Sequence, residues 1–275
     1  MNTPTSPTIT FIGGGNMASA IVGGLMRQGH PAAALQIVEP WDAQRVKLGQ
    51  QFPGVSVLPA ASAALRPSDL VVWAVKPQTF KEAATAAGPH LLGALHLSVA
   101  AGITSDSMAN WLQTQRIVRA MPNTPALVGL GMTGLFARAG ASEADRALVE
   151  SVVKTTGELV WVAAEDQLDA VTALSGSGPA YVFYFLEAMR DAGARMGLPP
   201  EVALQLAVGT FVGASTLAQR SDDPPQVLRE RVTSKGGTTY AALTSMQASG
   251  VKDAFEKALL AAQQRAAELG REFGA

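Results

Sequence analysis

Two clusters of residues in this sequence have the types and spacing of chemistry. The first is Gly13-Gly14-Gly15-Asn16-Met17-Ala18, a GxGxxA pattern that follows a short apolar run. Glycine at 13 permits a tight turn, glycine at 15 lets a pyrophosphate approach the backbone, and small Ala18 lets the next helix pack close to the sheet. The free N–H groups at the start of that helix, with its dipole, favour phosphate charge. Glu39 closes the next apolar run about twenty residues on, where a carboxylate accepts from a ribose 2′-hydroxyl and repels a 2′-phosphate. Taken alone Glu39 favours NADH over NADPH, an effect that Arg45, one helical turn further, can partly offset. A glycine-rich turn of some other α/β fold is the plainer alternative.

The second cluster is Arg231-Val232-Thr233-Ser234-Lys235-Gly236-Gly237-Thr238-Thr239-Tyr240. Hydroxyls and backbone N–H groups gather around two glycines just before a helix, an arrangement suited to a small carboxylate. Simple helix capping is the alternative, although one hydroxyl suffices for that. Three further apolar runs end in loops: Ala74-Val75-Lys76-Pro77, Val99-Ala100-Ala101-Gly102, and Pro122-Asn123-Thr124-Pro125. Ligands of open parallel sheets lie beyond the carboxyl ends of the strands. The first two loops are therefore expected along the adenosine, pyrophosphate and ribose, and Asn123 near the nicotinamide. A solvated Lys76 and an Asn123 that caps a turn are the alternatives.

Positioning these residues requires a particular order of elements. Up to about Ala164, apolar runs alternate with amphipathic stretches. Thr8–Gly13, Leu35–Glu39, Leu70–Ala74, Leu95–Ala100 and Ile117–Met121 read as buried strands with helices between them, and Met132–Ala137, Glu143–Thr155 and Glu158–Val162 extend the pattern. This implies βαβ units and a mostly parallel sheet over residues 1–164. After Glu165 the strand signals stop. Gly178–Met196, Pro199–Ala218, Thr238–Ser249 and Val251–Phe273 read as helices, so residues 165–275 form an all-α domain.

Composition narrows the chemistry. The 275 residues include three histidines and no cysteine, which excludes disulfides, thiolate nucleophiles and iron-sulfur ligation and makes a metal site unexpected. Eleven basic and nine acidic residues precede residue 165, and ten and thirteen lie from it onward, so neither half has a nucleic-acid footprint. The charged fraction is 16%, well below the average of about 25%. Charge-free, alanine-rich helices in the second half would leave apolar surface exposed in a monomer. A homo-oligomer built through them is expected, with Gly209 and Gly213 permitting close helix approach. Met1–Pro7 lacks the features of a signal peptide, and the charge-free stretches Ala83–Ser105, Ala120–Ala137 and Val202–Gln219 are interrupted by polar residues, Gly or Pro. A cytoplasmic protein without membrane or nucleic-acid partners is expected.

GGGNM, AVKP, SVAAG, RAMPNTP, LSGSGPAYVFYFLEAM and VTSKGGTTYAAL together resemble, in order and spacing, the pyrroline-5-carboxylate reductases. The resemblance spans Thr8 to Leu269. It implies reduction of 1-pyrroline-5-carboxylate to L-proline with NADPH or NADH, in a homodimer joined through the helical domain or an assembly of such dimers. It further implies that Ile12–Met17 (Ile12, Gly13, Gly14, Gly15, Asn16, Met17), Ala74–Pro77 and Val99–Ala101 contact the cofactor. Ser234 and the N–H groups of Gly237 and Thr238 would hold the carboxylate of this cyclic imino acid, with Gly236 also in the substrate-binding loop. Thr239 would hydrogen-bond the ring nitrogen, and Glu165 would approach the substrate. The chain departs from the family at Arg231 (often Asn), Lys235 (often Pro), Ala61 (often polar) and Glu39 (a smaller polar residue), which bears on cofactor choice more than on reaction type. A hydroxyacid dehydrogenase would need a base, usually lysine, on the helix from Gly178, which carries none. A regulatory module without turnover would not need the Ser234–Thr239 loop.

Overall fold

The computed structural model describes residues 6–274, and the expectation for Met1–Thr5 lies outside them. The chain runs β1 (Ile9–Ile12), α1 (Asn16–Arg27), β2 (Leu35–Val38), α2 (Asp42–Gln51), β3 (Ser56–Leu58), β4 (Leu70–Trp73), α3 (Pro77–Ala87), β5 (Leu95–Ser98), α4 (Ser105–Leu112) and β6 (Ile117–Met121). It continues through β7 (Gly131–Ala137), α5 (Glu143–Val153), β8 (Gly157–Trp161) and α6 (Gln167–Val171) to five further helices. These are α7 (Gly178–Arg195), α8 (Pro200–Arg220), α9 (Pro225–Arg231), α10 (Thr238–Ala248) and α11 (Val251–Phe273).

One sheet of order β3-β2-β1-β4-β5-β6-β7-β8 results. The strands from β1 to β6 are parallel, as expected of helix-connected strands. β7 is antiparallel to β6, because the turn Thr124–Val128 is too short for a crossover, whereas α5 carries the chain back to a parallel β8. β3 and α9 escape the sequence reading, being too short to show a period.

Strand alternation divides the core between the two faces. Phe11, Leu70, Val72, Leu95 and Leu97 meet Ile21, Leu25, Leu48 and Val149 on one face. Ile12, Val71 and Trp73 meet Phe80, Ala84, Met108 and Leu112 on the other. On this second face His96 is buried and accepts a hydrogen bond at Nδ1 from Trp73 Nε1 (3.0 Å). Burial first, and then the charge of Arg116, lower the His96 pKa to about 4, so it is neutral at physiological pH.

By packing, one compact unit runs to Ser177 and takes back the chain from Ala262, and the other is Gly178–Ala261. The break in sequence style at Glu165 and the break in packing therefore differ. α6, the π-helical turn Thr172–Gly176 and the end of α11 pack with the sheet unit. The second unit is entirely helical. In it Gly193 of α7 lies against Ala203 of α8, and Phe255 of α11 meets Tyr181 and Phe185 edge-on. Leu206 and Val212 of α8 are exposed in the single chain.

Candidate active site

The order β2-β1-β4 reverses direction at β1, so a crevice opens beyond the carboxyl ends of β1 and β4, where nucleotides bind in such sheets. Gly13 turns there with φ +96°, and a Cβ on it would stand 2.7 Å from the Ala74 carbonyl oxygen and 3.0 Å from Val75 Cγ1. Only glycine accommodates that conformation next to that neighbour. Gly15 is the N-cap of α1 and has nothing within 4 Å of a built Cβ, so the backbone is open to a ligand. Gly15 and Asn16 are exposed whereas Ile12–Gly14 and Ala18 are buried. The free amides of the first turn of α1 thus face an unobstructed edge, and this cradle fits a pyrophosphate. Met17 is half-buried at the core margin.

Glu39 stands just past β2 and is 9% exposed. Its Oε2 accepts from the Gly14 N–H (2.9 Å) and its Oε1 from the Trp41 N–H (3.0 Å). Arg45, which the sequence offered as a partner for a 2′-phosphate, is engaged in part by the chain itself. Its guanidinium donates to the carbonyls of Glu39 (3.0 Å) and Pro40 (2.6 Å) and pairs with Asp42. The two carbonyls lie in the loop before α2 and Asp42 in its first turn, so Arg45 reaches back past the start of its own helix, which sequence spacing does not disclose.

The other loops take their expected places on the carboxyl edge. Ala74, Val75, Lys76 and Pro77 join β4 to α3, with Lys76 exposed at the N-cap. Val99, Ala100 and Ala101 follow β5, the Ala100 N–H donating to Ser98 Oγ (3.2 Å). Asn123 follows β6, and its side chain is already engaged by the chain. Oδ1 accepts from the Met132 N–H (2.9 Å), and Nδ2 donates to the Ser175 carbonyl (3.1 Å). In a continuous helix that carbonyl would be served by residue 179, which is a proline and has no N–H. Asn123 supplies the missing donor and leaves one N–H and one lone pair for a ligand.

Glu165 is also engaged. Its Oε1 accepts from the Ser105 N–H (2.6 Å) and pairs with Arg119 (2.7 Å), and its Oε2 accepts from the Ser105 hydroxyl. Within the sheet unit it closes the start of α4 against β6, a role the sequence reading did not contain. Burial raises the pKa of neighbouring Asp169.

In the helical unit, Ser234–Gly237 is a turn in which the Gly237 N–H donates to the Ser234 carbonyl (3.0 Å) and Gly236 takes φ +76°. A positive φ at the third turn residue requires glycine or asparagine, which accounts for Gly236. The Gly237 amide, expected at a carboxylate, is engaged by the turn itself. Gly237 is instead the N-cap of α10, so the amides of Thr238 and Thr239 open the helix without intrahelical acceptors. Ser234 Oγ lies 2.5 Å from a Cβ built on Gly237. The Ser234 hydroxyl thus stands beside the N-cap of α10, next to the helix start that carries the two open amides and the half-buried Thr239. No cluster of three or more metal-binding side chains occurs among the described residues.

Comparison with known proteins places these features in a family. Residues 165–269 match a family described as pyrroline-5-carboxylate reductase dimerisation, and residues 8–102 match one described as NADP oxidoreductase coenzyme F420-dependent. A pyrroline-5-carboxylate reductase of Pseudomonas aeruginosa is 44% identical over 272 residues, 98% of this chain and 99% of that protein. The structure of a pyrroline-5-carboxylate reductase from Coxiella burnetii superposes with a TM-score of 0.89 at 37% identity, covering 96% of this chain and 98% of that one. The Plasmodium falciparum enzyme, crystallised with NADP bound, gives 0.85 at 28% identity over 97% and 99% of the two chains.

Proposed function

The chain belongs to the pyrroline-5-carboxylate reductase family, and on that premise we propose that it reduces 1-pyrroline-5-carboxylate to L-proline with hydride from NADH or NADPH. The observation that carries this reading is the conjunction, in one chain, of the open glycine turn at Gly13–Gly15 with the Ser234–Thr239 turn and its donors.

When bound, a reduced nicotinamide dinucleotide supplies the hydride. The amides around Gly15–Met17 hold its pyrophosphate, Glu39 its ribose, and Ala74–Pro77 and Val99–Ala101 border it. In the helical unit, Ser234 Oγ and the amides of Thr238 and Thr239 hold the substrate carboxylate. The Thr239 hydroxyl aligns the ring nitrogen. Hydride adds to the ring carbon of C=N while the π-electron pair moves to nitrogen, which carries a proton in the product. Threonine is a poor acid, so the substrate enters as the iminium or takes its proton from water through Thr239. The remaining work is orientation and electrostatics, which needs no cysteine, histidine or metal. A cytoplasmic homodimer formed through the helical unit goes with this reading, supported by the dimerisation match over 165–269, and such dimers can join into larger assemblies.

Thr239→Ala tests the site. It is expected to lower kcat/KM roughly 10- to 1000-fold, the range for losing one aligned polar contact to the reacting group, with NADH affinity retained. Wild-type kinetics in that variant would exclude the role.

A further inference from the structure

Gly14 is the unspecified middle residue of the GxG pattern, yet the structure encloses it. Its N–H donates to Glu39 Oε2 (2.9 Å), its carbonyl accepts from Gln44 Nε2 (2.6 Å), and a Cβ on it would collide with Leu48. All three partners belong to the segment from the end of β2 through α2. The peptide between the tight turn at Gly13 and the open backbone at Gly15 is thus fixed from outside the turn. Glu39 is the charged member of this clamp, and bonds to a charged acceptor are the stronger kind.

We propose that Glu39, beyond the part in choosing between NADH and NADPH expected of a carboxylate at this place, is a positioning residue for the pyrophosphate-binding turn. The proposal rests on the dinucleotide reading above. A carboxylate offers about four lone-pair sites, of which the Gly14 and Trp41 amides take two, so ribose hydroxyls can be received while the clamp stays closed. A 2′-phosphate meets the same carboxylate as a like charge. The charged groups on the adjoining turn are Asp42 and Arg45, and they pair with each other while Arg45 also serves two carbonyls. A substitution at Glu39 that relaxes discrimination against the 2′-phosphate is therefore expected to loosen the turn as well.

Reduced nicotinamide mononucleotide separates the two roles, since it has a phosphate but no adenosine ribose. Full-length wild type, Glu39→Ser and Glu39→Gln are titrated with NADH, NADPH and the mononucleotide by fluorescence. Hydrogen exchange of the 13–17 amides is measured without ligand. Wild type is expected to bind NADH more tightly than NADPH. Glu39→Ser loses that discrimination, binds the mononucleotide roughly tenfold more weakly, the scale of one hydrogen bond to a charged group, and exchanges faster at 13–17. Glu39→Gln, which keeps one acceptor oxygen and the side-chain volume, loses discrimination but retains more mononucleotide binding. Unchanged mononucleotide affinity and unchanged exchange in Glu39→Ser would overturn the positioning role. Discrimination that survives in both variants would overturn the selective one. Wild type that binds neither dinucleotide would refute the dinucleotide reading itself.

Discussion

Asn123 and Glu165 are residues that already hold the chain together before any ligand arrives. Removing the Asn123 amide leaves the Ser175 carbonyl without its donor and the Met132 N–H without its acceptor. Asn123→Ala is expected to cost about 1–3 kcal/mol of stability, the penalty for an unsatisfied partly buried group, measured by denaturant unfolding at fixed protein concentration. A loss well under 1 kcal/mol would mean that water replaces the amide. For Glu165, Glu165→Ala strands Arg119 at β6 and frees the start of α4. At this scale the sequence discloses residue types and their order, and the glycine turn and the Thr238–Thr239 helix start follow from them. It does not disclose that Arg45 reaches back to Glu39 and Pro40, nor that the Gly237 amide closes its own turn. Both depend on rotamers and local φ, which periodicity does not encode.

Among the elements, β1, β2, β4, β5 and β6 are legible because buried parallel strands read as short apolar runs between helices. β3 is half-buried and three residues long, so it carries no such run. The reversal at β7 follows from a connection too short to cross over, which becomes visible only once the turn at Thr124–Val128 is known. The pairing of β4 and β5 carries a pH dependence. His96 has a folded-state pKa of about 4, below its ordinary 6.5, because burial disfavours its charged form. Its contribution is fully present above pH 6.5 and is lost progressively as pH falls toward 4, as protonation favours the unfolded chain. The depression corresponds to about 3 kcal/mol. Urea unfolding between pH 7 and pH 4.5 is expected to show this decline and His96→Gln, which keeps an acceptor for Trp73, a shallower one. Equal slopes would contradict the assignment.

For the whole molecule, the low charge acquires a physical reading. α8 is, among the described residues, the helix long and apolar enough to cross a membrane, yet it lies within the span matched by the dimerisation family. Its exposed Leu206 (57%) and Val212 (62%) are apolar surface of the kind that a second copy covers. Val212→Glu is expected to shift the protein from dimer to monomer at micromolar concentration in light scattering, since a charge buried in an apolar interface is costly. A variant that remains dimeric would place the interface elsewhere. The central claim is reached most directly by incubating purified protein with NADH or NADPH and either 1-pyrroline-5-carboxylate or a panel of 2-hydroxy and 3-hydroxy acids with the oxidised dinucleotides. Reduced-dinucleotide oxidation with the imine is expected, with one proline formed per dinucleotide consumed and no turnover of the hydroxy acids. Turnover of a hydroxy acid with none of the imine would contradict that claim.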